Sequence, residues 1–66
     1  MTGEELKYYR VKRHYSQEQL GLALGYSPAS AERTVQLWEH DVRPISPKKY
    51  RKLAEVLEVP LEKVIP

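Results

Sequence analysis

The sequence predicts an all-α fold, a compact five-helix domain, and three observations carry that prediction. Apolar residues recur at intervals of three and four, and no alternating run of useful length occurs, so the periodicity is helical. Residues suited to open a helix stand before each apolar-periodic segment: Thr2, Ser16, Ser27 or Ser30, Ser46 and Pro60. Breakers such as Gly25 and Pro66 divide the 66 residues into pieces short enough to pack on one another.

The first helix opens at "TGEE", where Thr2 and Glu5 have the spacing of a capping box. Leu6, Tyr9 and the stem of Arg13 share a face with Arg10. The second opens at "SQEQ", with Ser16 as cap, Gln19 at the box position, and Tyr15 and Leu20 placed as a hydrophobic staple. Leu20 and Leu24 turn inward, and Gly25, free to take positive φ, stops the helix. The third lies within "GYSPASAERTVQLWE". Ala31, Val35 and Trp38 occupy a narrow arc of its wheel and face the core. The fourth begins at "SPKK", with Ser46 as cap, Pro47 at the first helical position, and a buried stripe of Tyr50, Leu53, Ala54 and Leu57. "VPLEKVIP" gives a last short helix whose Leu61, Val64 and Ile65 exceed what it needs for itself. The second and third helices, short and tightly joined around Gly25, have the arrangement of a helix-turn-helix.

Size and composition set limits. Sixty-six residues make one small domain, 1–66, that buries only about 60% of its unfolded surface. There is no cysteine to staple it or to bind a metal, which fits a reducing compartment. No apolar run approaches a membrane span. The first residues carry acids where a signal peptide has basic groups, so the expectation is cytoplasmic with no membrane association. Net charge is only +2, but it is unevenly spread. Lys7, Arg10, Lys12 and Arg13 cluster early, and Arg43, Lys48, Lys49, Arg51 and Lys52 form a second group without an intervening acid. Such a separation suits a polyanion, though a solvated helix surface would look the same. Catalysis is not expected: His40–Asp41 is the one close set of catalytic types, no Gly-rich phosphate loop occurs, and neither a cofactor nor a small-molecule ligand is indicated.

"SQEQLGLALGYS" resembles the second helix and turn of the phage repressor and Cro type of helix-turn-helix proteins. Ser16, Gln17, Leu20, Leu24, Gly25 and Ser27 match the first part of that pattern. Trp38, Glu39, Arg43 and Pro44 match the second, and Leu53, Ala54, Leu57 and Val59 the third. The likeness covers nearly the whole chain and implies a lambda-repressor-like fold and a partner in double-stranded DNA. Three departures stand out. Gly21 replaces a small Ala, and Asp41 replaces the Gly after Trp-Glu. Between Gly25 and Trp38 the chain is about four residues longer than the pattern. "PASA" is then either an insertion between the two helices or an extra turn at the start of the third.

Counting back from Trp38 places the candidate contacts. Glu32 and Arg33 fall at the start of the groove-facing part, with Gln36 and an exposed Leu37 a turn further on. Arg33 has the donors for guanine O6 and N7, Gln36 the groups for adenine N6 and N7, and Leu37 a methyl for thymine. The alternatives are an ion pair with a local acid for Arg33 and a partly buried edge position for Leu37. The resemblance implies phosphate contacts at Gln17, Thr34 and Arg43, with Lys48 and Lys49 as helpers, and a structural ion pair between Arg10 and Glu39. It also implies a weak homodimer through Leu61, Val64 and Ile65, and a transcriptional repressor acting on an inverted repeat. The rival is a protein-interaction module on the same scaffold, either antitoxin-like or an accessory dimerisation domain.

Overall fold

The computed structural model describes residues 1–66 and contains five α-helices and no strand: α1 Gly3–Lys12, α2 Gln17–Ala23, α3 Ala31–Glu39, α4 Tyr50–Leu57 and α5 Leu61–Val64. A single 3₁₀ turn, Pro47–Lys49, leads into α4. Both N-terminal capping boxes form. Thr2 Oγ1 accepts from Glu5 N while Glu5 Oε1 accepts from Thr2 N, and Ser16 and Gln19 repeat the exchange. Hydrogen bonding to Thr2 holds the Glu5 carboxyl below its ordinary range.

The ends of α1 to α4 follow one device. At each of His14, Gly25, Asp41 and Glu58 the chain turns through positive φ. The next amide then reaches back across the last turn: Tyr15 N to Arg10 O, Tyr26 N to Gly21 O, Val42 N to Leu37 O and Val59 N to Ala54 O. These are Schellman closures, which satisfy carbonyls that a helix end would leave bare. Only one of the four uses glycine.

The core gathers the inward stripes of all the helices. Leu6, Leu20, Val35, Leu53, Leu57 and Val64 are its fully buried members, and Trp38 packs among them with its ring edge-on to Tyr26. Ala31, Val35 and Trp38 are buried, as their spacing on α3 requires.

Four sequence expectations are corrected. Ser46 makes no side-chain cap; its carbonyl accepts from Lys49 N, because the chain enters α4 through the 3₁₀ turn. Tyr50 sits half-buried at the margin of the stripe. Ser30 occupies the position before α3 without capping it through its side chain. Val64, expected to lie uncovered with Leu61 and Ile65, is 1% exposed. Met1 packs against the core, and its amino group donates to Val64 O at 3.3 Å, so the start of the chain covers this end of it.

The open choice at "PASA" is also resolved. Ser27 O accepts from both Ser30 N and Ala31 N, so Ser27–Ser30 is a turn that delivers the chain into α3, whose helix proper begins at Ala31. Here lies the reason for Gly21. A Cβ on Gly21 would overlap the Ala31 carbonyl, so the lengthened connection seats its backbone against α2 where only glycine leaves room.

Candidate nucleic-acid interface

The site is built on α2 and α3, which pack together more extensively than any other pair of helices. Behind them, one carboxylate joins three helices. Glu39, at the end of α3, accepts from Arg10 Nε of α1 at 2.5 Å and from Arg10 Nη2 at 3.3 Å. It also accepts from Gln17 Nε2 of α2 at 3.1 Å. Arg10 spends a further donor on Tyr15 O at 2.9 Å. The Arg10 and Glu39 side chains are 10% and 4% exposed, so loss of either would strand a charge away from water. The pair aligns α3 against both neighbours, and its bidentate form resists rotation as well as separation.

Gln17 is therefore held by Glu39, yet its amide nitrogen carries two hydrogens and only one is engaged there. On the open side of α3, Glu32 and Arg33 are exposed, and Thr34, Gln36 and Leu37 are half-buried. Leu37 is thus a partly buried edge residue, one of the two readings that the sequence left open. Arg33 takes part in no ion pair, and neither do Arg43 and Lys48, which are exposed on the segment after α3 and on the 3₁₀ turn.

Lys49 differs from Lys48. Its ammonium donates to Leu24 O at 2.9 Å and lies 4.8 Å from the centre of the Tyr26 ring. It thereby closes the C-terminus of α2 and pins the 3₁₀ turn to the start of the α2–α3 connection. Burial pushes the Tyr26 phenol above its ordinary value.

Two tethers and one close approach were not visible in the sequence. Asp41 Oδ1 accepts from Gly3 N at 3.0 Å, so the residue that replaces a glycine after Trp-Glu caps the start of α1. Gly3 is needed there as well, because a Cβ would overlap Glu39 O. Arg13 Nε donates to Leu57 O at 3.0 Å and caps the end of α4. Each pairs residues far apart in the sequence that meet only in the folded chain, and local spacing carries no trace of them.

An all-α core that braces a short helix pair, with an unpaired arginine on the outer face of the second helix, defines a helix-turn-helix domain. That class places its second helix in the major groove of DNA. The pattern of the Helix-turn-helix family matches residues 6–64, and the chain belongs to that family. It is similar to the crystal structure of the transcriptional regulator BswR, with 32% identity and a TM-score of 0.89 over 100% of this chain and 65% of that one. The chain thus spans less than two thirds of that regulator's length. No curated protein matches it. No helix is long and apolar enough to cross a membrane.

Proposed function

We propose that the chain binds double-stranded DNA sequence-specifically and acts as a transcriptional repressor, docking as a dimer on an inverted repeat through the major groove. The observation that carries this reading is Arg33: exposed and unpaired on a helix whose other face is locked by Glu39, Arg10 and Gln17. A charge carried on a braced helix but unspent inside the molecule fits an external acceptor. Arg33 reads a guanine, while Gln36, Glu32 and the edge of Leu37 complete the base-facing set. Gln17, with its free amide hydrogen, and Thr34, Arg43 and Lys48 hold phosphates. Lys49 gives one of its three ammonium hydrogens to Leu24 O, so it braces the connection and still has donors to offer a phosphate.

The dimensions of the domain are compatible with the dimer reading. The protein is 29 Å long, whereas successive half-sites on one face of DNA lie about 34 Å apart. One copy cannot fill both, so a two-fold operator requires two. With Val64 buried in its own core, the contact falls to Ile65, 44% exposed, and to the margin of Leu61, beside a shallow cleft of about 160 Å³ lined in part by Ile45, Tyr50 and Pro66.

Selection of bound duplexes from a random pool, read by sequencing, tests the proposal. An enriched inverted repeat is the expected result. A pool that stays random, with affinity insensitive to salt, would transfer the surface to the rival role of a protein-interaction module. Tyr8 and Val11, exposed on the outer face of α1, give that rival its one structural support.

A further inference from the structure

Helix α1 carries apolar residues on two sides. Leu6 is buried in the core, while Tyr8 and Val11 stand 60% and 54% exposed on the outer face. Helix stability does not explain that face, since valine and tyrosine are weaker helix formers than the lysine and glutamate around them. Tyr8 and Val11, with the exposed Glu4, Lys7 and Lys12, line a shallow cleft of about 370 Å³ to which no other element contributes. The Tyr8 ring is held edge-on to Tyr9 at 5.1 Å, and the Lys12 ammonium lies 5.9 Å from its centre. Neither Glu4 nor Lys12 enters an ion pair within the molecule. Glu4, Tyr8 and Lys12 are spaced by four and so form one ridge of the helix, with an acid at one end, a ring at the centre and a base at the other.

A ridge of that kind is its own complement. We propose that the outer face of α1 is a self-association surface, separate from the contact at Ile65, on which two copies lay their α1 helices antiparallel. A two-fold axis through Tyr8 sets the two rings against each other with Val11 beside them. Glu4 and Lys12 each stand about 6 Å along the helix from Tyr8, so each Glu4 meets the Lys12 of the other copy, twice over. The acidic end of a second copy, around Glu55 and Glu58, is the other candidate occupant. It is the poorer one, because Glu58 already pairs with Arg13 at 3.5 Å. One ten-residue helix cannot bury the about 1,200 Å² of a stable interface, so the contact is weak and counts where copies are already held close. It does not depend on the DNA-binding reading.

The chain has no cysteine, so one introduced thiol reports one contact. Tyr8→Cys lies on the axis and should form a disulfide between copies under mild oxidation at high protein concentration. Lys52→Cys, exposed on α4, should lag behind it. Charge reversal then reads the register. In the Tyr8→Cys background, Glu4→Lys sets like charges against each other at both ends of its own pair, and so does Lys12→Glu. Mixed together, the two variants regain both attractions. Mass spectrometry at low salt should show mixed over like pairs roughly threefold above the random ratio, the worth of exposed ion pairs exchanged for repulsions. High salt should erase the excess. Both reversals in one chain should restore its trapping with itself. Tyr8→Cys trapped no faster than Lys52→Cys overturns the proposal, and so does a random mixture of pairs. A defect of Lys12→Glu that Glu4→Lys does not repair also overturns it, and would assign the face to the acidic end of a second copy.

Discussion

Gly21 shows how a single residue can invert an expectation. On helix propensity alone, Gly21→Ala should stabilise α2 by about 1 kcal/mol. Its Cβ would overlap the Ala31 carbonyl, which is backbone and cannot swing aside. Gly21→Ala should therefore destabilise by roughly 1–3 kcal/mol, as overpacking does. Denaturant titration reads the sign directly, and a more stable variant would mean that α3 is free to lift off α2. Asp41 makes a parallel case. It tolerates φ 55° and also caps Gly3. Asp41→Ala keeps the strained backbone and loses the acceptor, so thermal melts should show a loss of about 1–2 kcal/mol. Asp41→Gly relieves the backbone while losing the same bond, and should lie between Ala and the parent. From the sequence both residues were legible only as departures from a pattern. Their reasons are contacts with Ala31 and Gly3, distant or across a turn, that no local spacing encodes.

At the level of elements, the helix starts were the most legible part of the fold. Both capping boxes are fixed by residues three apart, and the stripes of α2 and α3 by a period within one helix. The ends were less so, because three of four Schellman turns place a side-chain residue where glycine is the usual choice. His14 at φ 63° makes no side-chain hydrogen bond or ion pair that would offset its conformation. His14→Gly should raise stability by about 0.5–1 kcal/mol in denaturant titration, part of the relief being returned to a more flexible unfolded chain. An unchanged or lower midpoint would show that the histidine has a compensating role. The Glu5 box adds a pH signature. Its folded pKa lies below its ordinary value of 4.5, so its contribution is present above that value and is lost as pH falls through the folded pKa. Glu5→Gln keeps the box geometry and should flatten that part of the acid limb. Identical acid limbs in parent and variant would assign the acid response to other carboxylates.

For the molecule as a whole, the division between positioning and reading should appear in binding thermodynamics. Arg33→Ala should cost roughly 1–3 kcal/mol on the selected duplex and relax preference at one base pair. Arg43→Ala should weaken all duplexes alike and lower the salt slope by about one phosphate's worth per subunit. Titrations on matched and single-base-changed duplexes at two salt concentrations separate the two. Equal weakening of every duplex by Arg33→Ala would make it a backbone contact and rotate α3 in the groove. The candidate surface was legible because Arg33, Gln36 and Leu37 share an arc opposite Trp38, and that arc follows from helix geometry. The bracing contact of Lys49 and the burial of Val64 were not legible for one common reason: what each touches, Leu24 and Met1, is brought to it only by the closed fold.

The contact between the Met1 amino group and Val64 O makes the two margins of this domain near neighbours. The order in which the helices are strung is then a matter of covalent history more than of architecture. A few flexible residues could join Pro66 to Met1, whose nitrogen, as an amide, would still donate to Val64. New ends could open at Val42, which is 71% exposed and follows the closure of α3. The same molecule would then begin with Arg43 and finish just after the helix that carries Arg33, leaving that helix free to be fused, tethered or labelled at its own terminus.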